Sequence, residues 1–351
     1  MKKAFVFIIF FLFIMRVDGT STIVMDTDNK RVLYSSNVHD KRSVASISKI
    51  MTCIVALENG DINKKIVIGD EITGSYGSGI YIKKGEELSL KDLLYGLMLR
   101  SGNDAALAIA NIVAGSEKDF VLLMNEKAKE LKMTNTTFNN PSGLDYNGGN
   151  ISTAYDMAIL TSYAMQNNIY KEIVGTKKYT LKTNMNTYMW YNKNKLLHST
   201  KYITGGKTGF TEIARRTLVT TATKDNLNLV VVTLNDGNDF KNHLDLYEST
   251  FKKYKSYKIL KKGKINIVGE KYYDNLYIKN DYYYTLKDSE KDKVSIKYKL
   301  NKINRPKNNE EVGVAVVYLD NTIVKEEKIY IKVKNKLKKE SIFKRILNIF
   351  K

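Results

Sequence analysis

The stretch Ala45-Ser46-Ile47-Ser48-Lys49-Ile50-Met51-Thr52 sets a serine three residues before a lysine, at the head of an apolar run. Ile47, Ile50, Met51, Ile54, Val55 and Leu57 recur at helical spacing and Gly60 supplies a stop, so the pattern predicts a helix over 46–58. Side chains three apart on a helix share a face, one turn from each other. That is where a base must stand to serve a serine, because a hydroxyl is a poor nucleophile until a neighbour takes its proton. Lysine can do this only when neutral. Its pKa must then fall from about 10.4 toward 7, at about 1.36 kcal/mol per unit, and burial and a second cation both push that way. At the helix N-terminus Ser46 would also lie among unpaired N–H groups that favour developing negative charge.

Working outward, Ser-x-x-Lys recurs from Ser249 to Lys252 and from Ser341 to Lys344, and Ser-x-Asn recurs from Ser35 to Asn37. Only the early Ser-x-x-Lys is followed in order by Ser101-Gly102-Asn103 and by Lys207-Thr208-Gly209, and Lys-Thr-Gly occurs once. The ordered triple carries the signal that its parts do not. Lys207 is the natural second cation and can attract a substrate carboxylate. Ser101 can relay a proton between Lys49 and a leaving amine, while Asn103 offers an amide to hold the substrate backbone. The segment Gly205-Gly206-Lys207-Thr208-Gly209-Phe210-Thr211 reads as a strand whose glycines let a peptide approach closely, adding to the sheet with Thr208 on its terminal carboxylate. Thr208, Gly209 and Phe210 are thus the expected substrate-binding residues, and the N–H groups of Ser46 and Phe210 the expected oxyanion hole. None of His39, His198 and His243 lies in these motifs.

The ordered motifs resemble those of the penicillin-recognising serine enzymes, which include penicillin-binding proteins and class A β-lactamases. Closer still, Ala45 to Thr52, Leu99-Arg100-Ser101-Gly102-Asn103-Asp104-Ala105-Ala106, Asn140-Pro141-Ser142-Gly143-Leu144-Asp145 and Lys207-Thr208-Gly209-Phe210-Thr211 are similar to low-molecular-mass D-alanyl-D-alanine carboxypeptidases. The resemblance spans residues 21–251. It implies the α/β (α+β) fold of serine β-lactamases and penicillin-binding transpeptidases, with an antiparallel sheet flanked by helices. It also implies attack by Ser46 on the bond between two terminal D-alanines of a peptidoglycan stem peptide, an acyl-enzyme resolved by water, and acylation of the same serine by penicillins. The chain departs from the family at Ala214-Arg215, where Ala-Gly is usual, and at Asn150-Ile151, before Ser152-Thr153-Ala154-Tyr155-Asp156, where histidine is frequent. No Glu-x-x-Leu-Asn motif is present to activate a deacylating water, so efficient β-lactam turnover is not expected. The alternatives are a penicillin-binding or wall-binding protein without catalysis, disfavoured because every catalytic residue type is present, and a β-lactamase.

Residues 1–19 read as a secretory signal: Met1-Lys2-Lys3, a short apolar run from Ala4 to Met15, then Arg16-Val17-Asp18-Gly19. The run is short for a membrane span of about 20 residues, an uncleaved anchor being the other reading. An exported protein on the outer face of the cytoplasmic membrane, or extracellular, is the expectation. The single cysteine, Cys53, rules out an intramolecular disulfide framework, and its place on the predicted helix suits core packing. No Cys/His cluster has zinc spacing, so neither a metal nor a cofactor is expected.

The 351 residues suit two domains, with a change of character near Tyr254. Helical patterns over 90–113 and 118–133 and a strand over 227–234 precede it; these mark a catalytic domain over 20–254. Beyond come Tyr-, Ile- and Val-rich runs over 294–298 and 314–318, the latter turning at Asp320-Asn321 into a run over 323–333. They predict a small all-β sandwich over 259–333. Of the net charge of +20, the last hundred residues carry +15, from 27 Lys and Arg against 12 Asp and Glu. Such a surface seeks anions, and export argues for anionic lipid or wall polymer rather than nucleic acid. Residues 334–351 set Leu337, Ile342, Phe343, Ile346, Leu347, Ile349 and Phe350 among basic residues, a pattern suited to an amphipathic tail on an anionic membrane surface, the other reading being a terminal helix docked on the β-domain.

Overall fold

A computed structural model describes residues 19–333; the expected signal (1–19, but for Gly19) and the expected tail (334–351) lie outside the described residues. The chain divides into two compact units, one running to Glu248 apart from residues 225–227, the other continuing from Ser249.

The first unit is built on a five-stranded antiparallel sheet in the order Val32–Ser36, Ser21–Asp26, Leu227–Leu234, Arg215–Lys224, Ile203–Thr211. Two of its inner strands, Ser21–Asp26 and Leu227–Leu234, are buried nearly end to end because both faces are covered. Ile23, Met25, Val219, Val230, Val232 and Leu234 belong to the large core that also holds the helices. On the opposite face Thr220 and Thr233 bond to His243 of the helix Asp239–Lys253, and Tyr247 of the same helix donates to Thr220 O at 2.7 Å. At the centre of the core lies the helix Lys49–Asn59, buried from Lys49 through Ala56. A helix buried all round is one that other helices enclose.

Two expectations from the apolar pattern are refined here. The run over 46–58 is not one helix: Ala45–Ser48 is a tighter 3-10 turn that leads into Lys49–Asn59, with Ala45 in the left-handed region at φ 49°. The run over 90–113 breaks in three, an α-helix Leu90–Tyr95, a wider π turn Gly96–Arg100 and an α-helix Asn103–Ala114. Periodicity persists across the break because both halves face the same core, but Ser101 at φ 65° interrupts the helix between them. The remaining first-unit expectations need only small adjustment: a helix Glu117–Glu130 for 118–133, and Leu227–Leu234 as read.

The second unit is all β. A five-stranded antiparallel sheet, in the order Gly263–Lys264, Leu276–Ile278, Thr322–Ile331, Glu311–Leu319, Val294–Leu300, shares its apolar core with the pair Lys255–Leu260 and Tyr282–Leu286. Val312, Ala315, Val317 and Ile329 meet Tyr282, Tyr284 and Leu286 there, which makes a small sandwich. The hairpin turns at Asp320-Asn321, with Leu319 opposite Thr322.

Candidate active site

Lys49 is fully buried, and its Nζ has three oxygen neighbours: Ser46 Oγ at 3.1 Å, Asn103 Oδ1 at 2.7 Å and the carbonyl of Ser142. Burial first, then the positive charge of Lys193, brings its pKa down to about 7, against a pull upward from Asp104. A neutral amine has two hydrogens and one lone pair. Asn103 Oδ1 and Ser142 O can only accept, so they take the two hydrogens, and the lone pair is left for the Ser46 hydroxyl.

The seat under Ser46 is the loop Asn140-Pro141-Ser142-Gly143-Leu144-Asp145. Asn140 Oδ1 accepts from the N–H of Ser142 at 3.1 Å and of Gly143 at 2.7 Å, folding the loop so that Ser142 O meets Lys49. Asn150 holds the loop in turn, accepting from Asn139 N at 2.7 Å and donating to Asn140 O at 2.9 Å. Gly143, at φ +80°, lies so close to the turn that a Cβ there would fall 2.1 Å from Ala45 O. Thr52 donates to Pro141 O at 2.7 Å, binding the helix to the same loop.

The strand Ile203–Thr211 closes the site from the other side. A Cβ on Gly209 would come within 3.0 Å of Ser46 N, and Thr217, paired with Gly209, donates to Val44 O at 3.0 Å. Lys207 Nζ lies 3.0 Å from Ser101 Oγ and 2.8 Å from Thr208 O. Burial, then Lys49 and Lys193, holds Lys207 well below the usual lysine range. The structure therefore brings Ser46, Lys49, Ser101, Asn103 and Lys207 together in two linked pairs, with Asn103 joining the first.

Three details differ from the expectations. Lys193, a partly exposed lysine with Nζ 3.1 Å from Ser78 Oγ, is the cation that acts on Lys49, while Lys207 is itself depressed. Asn103 turns its amide inward, Oδ1 toward Lys49 and Nδ2 donating to Tyr76 O at 2.6 Å, so its first task is to orient the base. Arg215 sits at φ 56° and pairs with Glu212 at 3.1 Å, away from the cleft; the left-handed backbone is one a glycine adopts freely. It is the neighbouring Arg216 that faces inward.

Ser46, Ser101, Thr208, Gly209, Phe210, Lys193 and Arg216 line an open cleft of ≈ 340 Å³. Arg216 is anchored by Asp239 Oδ1 at 2.7 Å and lies over the Phe240 ring. Its buried Nε and the free Asp239 Oδ2 have no hydrogen-bond partner among the described residues, the state of polar groups that await a ligand or solvent. Neither Lys193 nor Arg216 was legible as a site residue, because neither belongs to a motif.

These groups set the Ser46 hydroxyl beside the amine of a buried lysine, with a cationic cleft adjoining it. Residues 14–238 match the family described as D-alanyl-D-alanine carboxypeptidase, and residues 250–338 match the penicillin-binding protein 5 C-terminal domain. The chain belongs to the D-alanyl-D-alanine carboxypeptidase family. It is 35% identical over 221 residues to the D-alanyl-D-alanine carboxypeptidase DacF of Bacillus subtilis, covering 61% of this chain and 57% of the relative. With DacC of Escherichia coli it shares 38% identity over 232 residues, 62% of this chain and 56% of the relative. The chain thus spans little more than half the length of these two relatives. Among solved structures, penicillin-binding protein 5 from Haemophilus influenzae superposes with a TM-score of 0.72 at 25% identity, over 89% of this chain and 96% of that one. A D-alanyl-D-alanine carboxypeptidase from Mycobacterium tuberculosis does so at 0.63 and 30%, over 66% and 90%.

Proposed function

We propose that this chain is a serine-type D-alanyl-D-alanine carboxypeptidase that removes the last D-alanine from peptidoglycan stem peptides, and that penicillins acylate the same serine. The observation that carries the reading is the hydrogen count at Lys49: two acceptors use both hydrogens of a neutral amine and leave its lone pair on Ser46 Oγ.

In this reading Lys49 takes the hydroxyl proton as Ser46 Oγ bonds to the penultimate D-alanine carbonyl carbon. The oxyanion so formed is held by the N–H groups of Ser46 and Phe210. The C–N bond then breaks, with the proton passing through Ser101, which Lys207 orients, to the leaving amine. Water repeats the sequence on the ester, with Lys49 again as base, and frees Ser46. Thr208 and Arg216, with Lys193 beyond them, receive the terminal carboxylate of the substrate. Export through residues 1–19 and attachment to an anionic membrane surface through residues 334–351 complete the proposal.

Incubation with a D-Ala-D-Ala-terminated pentapeptide should release free D-alanine, and Ser46→Ala should abolish both that release and covalent penicillin labelling. Mass spectrometry of the labelled protein tests the assignment. An adduct on Ser249, Ser341 or Cys53, or labelling without any D-alanine release, would sink it.

A further inference from the structure

An open cavity of ≈ 720 Å³ lies wholly within the first unit and shares no lining residue with the cleft at Ser46. It sits at the start of the strand Ile203–Thr211, whose far end, Thr208 to Phe210, lines that cleft. Its size is that of small-molecule sites, about 300–1,000 Å³. Three lysines border it: Lys171 from the helix Asn168–Gly175, Lys177 just beyond that helix, and Lys201 just before the strand. All three are exposed, and among the described residues none has a carboxylate within ion-pair distance. The wall also holds a spare donor. Thr204 Oγ1 and Thr221 Oγ1, both in the lining, lie 2.8 Å apart, so one hydroxyl donates to the other. The remaining hydrogen has no acceptor among the described residues, although Thr221 is only 2% exposed. The one carboxylate in the lining is Asp28, which accepts from Asn228 Nδ2 at 2.9 Å. Burial, the largest influence on it, raises its pKa, and the charge of Lys171 pulls the other way.

Three ammonium groups, a spare hydroxyl donor and one carboxylate around a single space call for a ligand that is anionic at one end and hydroxylated at the other. We propose that this cavity binds the phosphate ester of a polyol, with the phosphate among Lys171, Lys177 and Lys201 and the polyol hydroxyls donating to Asp28. A bare anion would be repelled by Asp28, and a neutral sugar would leave the lysines unused. Lysine suits the task because its compact charge on a flexible stem lets several heads converge on one phosphate, each through a charge-assisted hydrogen bond. The Thr204–Thr221 pair gives its free hydrogen to a phosphate oxygen. Polyol phosphates occur both as lipid headgroups and as the repeating unit of anionic polymers, and the two present the same chemistry to the cavity. Binding here goes beyond the carboxypeptidase reading and does not depend on it.

Titration calorimetry of the full chain with sn-glycerol 3-phosphate, inorganic phosphate and glycerol tests the assignment. The ester should bind, phosphate roughly five-fold more weakly for want of the hydroxyl contacts, and glycerol not measurably. Lys171→Gln combined with Lys201→Gln should weaken the ester roughly ten-fold, the scale of two exposed charge pairs. Asp28→Ala should erase the advantage of the ester over phosphate, because the acceptor for the hydroxyls and the charge that repels a bare anion leave together. Arg216→Gln, in the cleft at Ser46, should change none of this. An unaltered thermal melt reports that each variant is folded. Vesicles of phosphatidylglycerol and a soluble poly(glycerol phosphate) separate the sources: whichever loses affinity in the double lysine variant supplies the ligand, and loss in neither leaves the free ester in that place. No heat with the ester, binding that survives the double lysine substitution, or binding abolished by Arg216→Gln would overturn the assignment, and none of these outcomes bears on D-alanine release.

Discussion

Replacing Lys193 by methionine removes the positive charge that acts on Lys49 and leaves its burial in place. The pKa of Lys49 lies at about 7, against 10.5 for a free lysine, and burial is the larger cause. The charge of Lys193 is the smaller of the two lowering causes, and its partial exposure to solvent screens it. Its loss should let the Lys49 pKa rise by about one unit, because a protonated amine is easier to hold once a like charge has gone. At pH 7 the neutral fraction of the base would drop from about one half to about one tenth, a roughly five-fold slower acylation, and at pH 9 the neutral fractions would differ by only about a tenth, leaving there only what Lys193 contributes to holding the carboxylate. The second-order rate of covalent penicillin attachment, followed from pH 6 to 10, reads this directly. If Lys193 merely held a substrate carboxylate, the whole curve would fall with its midpoint unmoved, and a midpoint that stays in place would refute the electrostatic role. Lys207→Gln should lower the plateau as well, through Ser101, and move the midpoint less than Lys193→Met.

Three further outcomes follow from buried groups. Lys49→Met should abolish acylation yet stabilise the fold by a few kcal/mol at pH 7: an amine whose folded pKa is depressed to about 7 loses stability fully below that pH, and the loss fades toward 10.5. Thermal melts should therefore show the gap between variant and parent narrowing as pH rises. His243, buried between Thr220 and Thr233 and pushed down to about 3, must unfold or charge at a cost as acid is added; stability should fall from pH 6.5 toward pH 3 by up to about 5 kcal/mol, and His243→Gln should flatten that slope. Gly143→Ala should cost activity far more than a surface change would, since its Cβ would fall 2.1 Å from Ala45 O and displace the turn that carries Ser46; full penicillin labelling in that variant would show the loop to be more pliant than the geometry allows.

What could be read from the residues, and what could not, divides by the range of the contacts. Ser46 and Lys49 are three apart, so one local conformation brings them together, and a 3-10 turn entering a helix does so at 3.1 Å, much as an unbroken helix would. The sheet was legible where a strand is buried on both faces, as in Leu227–Leu234. The break at Ser101 was hidden by an apolar period that runs on through it, although Ser101-Gly102-Asn103 is itself a cluster of turn formers. Ser142, Lys193 and Arg216 reach the site from 93, 144 and 167 residues away from Lys49, through a carbonyl and two cations whose place depends wholly on the fold. A backbone carbonyl has no residue type to announce it, and a lysine among 57 Lys and Arg has nothing to distinguish it. Yet these long-range partners decide the chemistry. Without Ser142 O a neutral Lys49 could turn a hydrogen toward Ser46 instead of its lone pair, and without Lys193 half of the base would no longer be neutral at pH 7. The motif names the pair proposed to react, and the fold sets the proton on the side that this proposal requires.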